Sequence, residues 1–369
     1  MSSYSHSFPH EGTIAPDAVI HPGSRVLGAD SVIGPGCEIG REAPATLINC
    51  QLGSGVKFTG GFAEGSVFLD GANVASGAHI RPGCLLEEGA SVAHTVGLKQ
   101  TILLPFVTCG SLINFCDCLM AGGTGPKDHS EVGSSFVHFN FTPHADKATP
   151  SLFGDVPFGV RLDQPPVFLG GQGGAVGPIR VAYGTVLAAG SVLRRDILDP
   201  GCLVVPAAPK AREKPYLPTH YRDVRRRMHA NLVYVGNLRA LRSWYDVVRS
   251  QVLTPELQTG ALRVIDLVLA ERIKWLGRME AKLTASRDHL AANGGSAAVL
   301  DEHDDWLEVW PQIESFLGAS DFGGLPAPAL SPSVPYLDWV RELNADARDD
   351  ISAWLGSIVD EVTAFFPAP

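Results

Sequence analysis

Tryptophan is missing from the first 243 of the 369 residues, although the chain carries six, at positions 244, 275, 306, 310, 339 and 354. Such uneven use of the largest side chain means that the two parts build their cores differently. Long apolar runs are missing as well. No stretch approaches the ~18 residues that span a bilayer, which excludes an ordinary membrane helix. Charged residues make up only 18% and hydrophobic ones 45%, which excludes a disordered chain. The seven cysteines, at 37, 50, 84, 109, 116, 118 and 202, are odd in number and contain no CxxC pair. That excludes a disulfide framework and a zinc knuckle, and it fits reduced, mostly buried thiols. The opening stretch MSSYSHSFPHEG has no basic flank leading into an apolar core. A cytoplasmic protein without secretory leader or membrane attachment is therefore expected.

What the chain does have is glycine, and it is concentrated. Of the 40 Gly, 31 precede residue 206. The Pro-rich stretch PAAPKAREKPYLP, Pro206 to Pro218, marks the expected boundary between a domain at 1–205 and one at 206–369. Charge divides too, beneath a net −10. Residues 1–205 carry 17 acidic and 11 basic side chains, 206–298 carry 8 and 16, and 299–369 carry 14 and 2. A basic segment followed by an acidic one is expected to pair internally rather than to bind nucleic acid.

From Ile14 an aliphatic residue recurs every six positions, in IAPDAV, IHPGSR, IGPGCE, LGSGVK at Leu52 and IRPGCL at Ile80, and again in VAYGTVLAAGSVLRRDI, Val181 to Ile197. A period of six with small residues after the aliphatic one predicts a left-handed parallel β-helix, three hexads making one triangular coil. A β-sandwich would alternate with period two and turn every ~8–12 residues. The expected fold is therefore an all-β solenoid followed by an α-helical domain. Two stretches break the period, at 122–131 (GGTGPKDHSE) and at 142–166. They are too polar and Pro-rich for coils and are expected as loops thrown out from the stack, a common carrier of function. His129, His138 and His144 fall in or beside them. The GGQGG run at 170–174 reads as a tight coil corner, since no Lys-Ser/Thr follows it.

Three stretches together resemble a known family: RPGCLLEEGASVAHTVGLKQTILLPFVTCGSLINFCD (Arg81 to Asp117), HFNFTPHADK (His138 to Lys147) and VFLGGQGGAVGPIRVAYGTVLAAGSVLRRDI (Val167 to Ile197). They resemble the acetyltransferase half of the bifunctional N-acetylglucosamine-1-phosphate uridylyltransferases, which belong to the hexapeptide-repeat acyltransferases. The resemblance covers roughly Ile14 to Val205 and lacks the family's nucleotidyltransferase half. It implies a homotrimer that transfers an acyl group from acetyl-CoA, or another acyl-CoA, to an amino-sugar phosphate or to a nucleotide sugar of the UDP-N-acetylglucosamine kind. Position by position, it puts Arg81 and Lys99 on the two cations that hold the substrate's phosphate. Asn140 falls on the Asn of the CNYDG motif, and Lys147 near the Lys that follows it. Ala189 falls where the backbone meets acetyl-CoA, and Gly171, in place of the family's Ser, lies on the same cofactor stretch. By spacing alone, Arg81 and Lys99 are one coil apart and stack on one corner, where an anion would relieve their repulsion. Asp117 lies as far again along the chain, and a Lys99–Asp117 salt bridge is the alternative.

The departures matter as much. The resemblance places the family's catalytic His on Ser111 and the Tyr of its HLTY motif on Asn114, both within the substrate region. A Ser hydroxyl ionises far too high to act as the base, whereas an imidazole titrates near working pH. His138, just before Asn140, is the first candidate for a relocated base, with His129 and His144 next. A packed, hydrogen-bonded His138 is the competing reading. Two further functions stay open: a catalytically silent homologue that binds a sugar nucleotide or serves as a scaffold for a partner protein, and a zinc-dependent trimeric hydratase or hydrolase. For zinc the signal is weak, because the chain has no HxxxxH pair.

In the second half, apolar residues at spacings of three and four predict a helical hairpin over 219–290, with a start at Thr254-Pro255 and a stop at Asn293-Gly294-Gly295. The cluster Arg225, Arg226 and Arg227 is expected to face the acidic helical tail at 299–369, which has no nucleophile–base constellation.

Overall fold

The computed structural model describes residues 9–369 except 11, 144, 214, 215, 218, 219, 319–325 and 334. From Val19 to Val204 the chain is a parallel β-solenoid. One side is a ten-stranded sheet in which each strand lies beside that of the next coil, from Val19–Ile20 to Leu203–Val204. The other two sides join into a fifteen-stranded sheet, because the seven-residue strands Gly97–Leu103 and Asn114–Met120 run around the corner between them.

The aliphatic residue of each hexad points to the axis. On the first side, Phe58, Val74, Val92, Cys109, Val132, Leu169 and Leu187 lie in register and are fully buried. Cysteine is used as a small apolar filler. Burial pushes the Cys50, Cys84 and Cys109 thiols up to about 12, so they pack rather than react. The excursion at 122–131 includes an antiparallel hairpin, Gly123–Gly125 with Asp128–His129. The stretch at 142–166 is less of a loop than its polarity suggests. Ser151–Phe153 pairs with Cys118–Met120 and completes a coil. The short helix α1, Val156–Gly159, follows, its first turn capped by Asp155, which accepts from the Phe158 amide at 2.9 Å.

Among the described residues five more α-helices follow the solenoid: α2 (Val224–Val247), α3 (Pro255–Ala292), α4 (Ala297–Gly318), α5 (Tyr336–Glu342) and α6 (Ala345–Thr363). Thr254 caps α3, with Pro255 in its first turn. None of the helices among the described residues is long and apolar enough to cross a membrane.

The third side of the solenoid carries apolar residues on both surfaces. Phe68, Leu86, Leu103 and Met120 belong to the inner core, while their neighbours Val67, Leu69, Leu85, Ile102, Leu104 and Leu119 join a second core with residues of α2, α3, α4 and α6. Strands buried on both faces read as continuous apolar runs rather than alternation, as VFL, ILL and CLM do here.

Polar contacts pin the same junction. Tyr245 donates to Glu87 Oε1 at 2.7 Å, and the fully buried Arg249 pairs with Glu88 and stacks over the Tyr336 ring at 3.8 Å. The arginine cluster is consumed inside the chain: Arg225 pairs with Asp305 of α4, Arg226 with Asp223, and Arg227 with the buried Asp146. Arg287 reaches Asp304 at 2.9 Å, so basic α3 and acidic α4 meet directly.

Burial pushes the Glu87 carboxyl up to about 7, against the opposing pull of Arg249. Between its ordinary value of 4.5 and 7, the folded chain keeps a proton that the unfolded chain has released, so this group lowers stability as pH rises through that window. Urea denaturation of wild type and Glu87→Gln at pH 5 and pH 8 checks this. The variant loses less stability across the interval than wild type.

Candidate functional site

The second side of the solenoid builds a pocket of about 380 Å³ where its strands turn the corner towards α3. Ile80, Leu98 and Phe115 are paired in register and point inward. The residue after each, Arg81, Lys99 and Cys116, stands at the pocket. Lys99 lies opposite Cys116 and not Asp117, because this coil is one residue shorter than three hexads. Asp117 therefore falls in the next column with Gln100. Both take left-handed backbone, φ 59° and 48°, at the corner.

This displacement decides the ion pairing. Asp117 is held by Arg272 of α3 at 3.0 Å on one oxygen and by Asn140 Nδ2 at 2.7 Å on the other. Arg272, only 3% exposed, also donates to Gln100 Oε1 at 2.7 Å and to the Lys147 carbonyl at 3.4 Å. Asn140 in turn accepts from Thr149 at 2.8 Å. The alternative Lys99–Asp117 bridge does not form. Among the described residues neither Arg81 nor Lys99 has an ion pair, and Arg81 reaches only the Cys116 sulfur at 3.3 Å. Lys147 Nζ lies 4.9 Å over the Trp275 ring. Asn114, Thr142 and Glu271 also line the pocket.

His138 forms part of the pocket wall but is buried in the core. Its Nε2 is 2.7 Å from the Ser151 hydroxyl, which also accepts from the Ile179 amide. Burial drives its pKa down to about 4, so the ring is neutral at neutral pH. His129 stands in the excursion hairpin with Nδ1 2.9 Å from the Pro126 carbonyl, and it is not a pocket residue. His144 lies outside the described residues. Among the described residues no group of three or more His, Cys, Asp or Glu could hold a metal ion.

Ser111 sits off the pocket, three residues before Asn114 on the same side. Its hydroxyl is 2.8 Å from His94 Nδ1, and its amide donates to Ser134 at 3.1 Å. Backbone bonds continue this edge from coil to coil: Leu112 to His94, Ser135 to Ser111, Gln172 to Ser134, and Gly190 to Gly171. Gly171 and Ala189 thus belong to one edge, away from the cations. Arg272, Gln100 and His94 were not among the sequence candidates. Only His94 carried a local signal, being one coil before Ser111.

A hexapeptide-repeat solenoid bearing two uncompensated cations over a pocket is the class that fold and geometry define. Within it, the chain is 30% identical over 207 residues to the bifunctional protein GlmU of Nocardia farcinica, a match covering 56% of this chain and 37% of that protein. It is 29% identical over 185 residues to GlmU of Thermotoga sp. (strain RQ2), and 28% over 198 residues to GlmU of Mycobacterium bovis. The matched stretch spans just over a third of these relatives. No family model matches the chain. Among solved structures, the UDP-N-acetylglucosamine O-acyltransferase (LpxA) from Moraxella catarrhalis aligns over 79% of this chain and 97% of that one, at 12% identity and a TM-score of 0.28. By its sequence relatives, the chain is related to the hexapeptide-repeat acyltransferases.

The Arg272–Asp117 contact carries a stability prediction. Arg272→Met leaves a largely buried carboxylate with a single amide partner and lowers unfolding free energy by about 3 kcal/mol. Adding Asp117→Asn recovers most of the loss, as a double-mutant cycle in urea reads directly.

Proposed function

We propose that this protein transfers an acyl group from acyl-CoA to an amino-sugar phosphate or a nucleotide sugar, with Arg81 and Lys99 anchoring the phosphate. The observation that carries the reading is the pairing pattern: Arg272 and Asn140 absorb Asp117, while both cations remain without a carboxylate partner among the described residues. Two like charges on adjacent coils, ~5 Å apart, gain most from a multivalent anion. Asn114 and Lys147 line the same pocket as further substrate contacts. The CoA would lie along the edge of Gly171 and Ala189, where small residues leave the backbone open to it.

The protein is proposed to act as a cytoplasmic homotrimer. With the third side taken by helices, subunits would meet through the other two. The ladder of exposed Phe168, Val186 and Leu203 on the first side supports this. A second reading, a catalytically silent binder, is favoured by one feature, the Ser at position 111.

Incubation with acetyl-CoA and a panel of amino-sugar phosphates, glucosamine 1-phosphate among them, tests the enzyme reading through released free thiol. Turnover is expected for at least one acceptor. Lys99→Ala and Arg81→Ala raise KM for the phosphorylated acceptor by roughly tenfold or more each, the worth of a charge-assisted contact. Thermal stabilisation by nucleotide sugars, with none by CoA and no thiol release, would favour the binder.

A further inference from the structure

We propose that His94 is the general base of the acyl transfer, with Ser111 fixing its ring; this rests on the acyltransferase reading above. Of the sequence candidates, the two that lie within the described residues are both engaged elsewhere. His138 lies in the core with Nε2 engaged by Ser151. His129 is bound to its own hairpin. His94 is exposed, at the corner that leads into the side carrying Arg81 and Lys99, with Nδ1 2.8 Å from Ser111 Oγ.

The pairing is built by the stack. Ser111 follows His94 by one 17-residue coil, in the phase that sets Asn114 opposite Gly97 and Cys116 opposite Lys99. The Leu112 amide donates to the His94 carbonyl at 3.1 Å, which ties the two corners together. Lys99 is five positions after His94, so at ~3.3 Å per step their Cα atoms are at most about 17 Å apart. The lysine side chain and a phosphorylated sugar can bridge that span. Phosphate would rest at the Arg81–Lys99 end and the acceptor group at the His94 end, with Asn114 between.

With Nδ1–H donating to Ser111 Oγ, the Nε2 lone pair is left to face the acceptor. The acceptor's amine or hydroxyl attacks the thioester carbonyl carbon. One C–N or C–O bond forms, the C–S bond breaks, and the acceptor's proton passes to Nε2 and then to the departing thiolate. No oxidant or metal is required for the balance, and the thioester is the only co-reactant. Ser111 acts as a positioning residue: it selects the tautomer and holds the ring plane.

His79 is an exposed imidazole on that side. It is stacked flat against Phe62, centroids 5.0 Å apart at 21°, and has no hydroxyl partner among the described residues.

The test uses the full chain with acetyl-CoA and the amino-sugar phosphate that wild type acylates. His94→Gln is expected to lower kcat by about 10²–10⁴-fold, the usual worth of a general base, with KM for the sugar phosphate little changed. Added imidazole restores part of the rate to His94→Gly, a response that a structural role would not give. Ser111→Ala lowers kcat less, and His79→Ala leaves it unchanged. Wild-type kcat in His94→Gln, or loss of rate in His79→Ala instead, overturns the assignment and leaves the acyltransferase reading standing. A wild-type chain inert towards every acceptor overturns that reading, and this assignment with it.

Discussion

On the middle coils of the solenoid's third side neither face is turned to water, and the organisation of the molecule depends on that constraint. An isolated solenoid side needs one apolar face, because its outer face is normally wet. Here Val67, Leu85, Ile102 and Leu119 present a second one, and α2 and α3 bury it. Removing an apolar side chain from water is worth ~1.5–3 kcal/mol, so a row of such residues fixes the helices strongly, before any charge is considered. The charges then set orientation. Arg249 and Tyr245 meet Glu88 and Glu87, and one helix further on Arg272 is brought to Asp117. A buried pair of this kind adds little net stability, since desolvation offsets attraction, but losing one partner is costly.

The pocket is therefore a joint product of two differently built parts. The solenoid supplies a strict vertical repeat that stacks cations on adjacent coils. The helical part supplies one guanidinium that takes up Asp117, the carboxylate in the column next to them. Without it, Asp117 would be the natural counter-ion of Lys99, one column away. With it, the pocket keeps a positive surplus in a chain whose net charge is −10. Global charge says nothing about this site, because the relevant field is set within a few ångströms.

The relation between sequence and structure follows the range of each interaction. Hexads such as those at Leu52, Ile80 and Val181 were legible because their spacing is local and repeats many times. The solenoid's second apolar surface was present in VFL, ILL and CLM, but a run of apolar residues does not say what covers it. The coil strand Ser151–Phe153 was hidden among polar and proline residues, where the two apolar positions Leu152 and Phe153 are too few to carry a period. Arg272 lies 155 residues from Asp117. No spacing rule connects them, and in sequence Arg272 is one more basic residue on a helix. His94 and Ser111 were one coil apart in plain view, yet a lone histidine in a repeat attracts no notice until its neighbour's hydroxyl is seen beside it.

The coil between Lys99 and Cys116 is one residue short of three full hexads. In a solenoid, chain length between corners acts as a phase, and every side chain downstream inherits it. A full-length coil would have set Asp117 opposite Lys99, and the same residues would have made a neutral ladder. The character of the site is thus carried by counting as much as by composition. A coil one residue short, with Arg272 there to take up the displaced carboxylate, leaves an anion site where a full-length coil would have stacked a salt bridge.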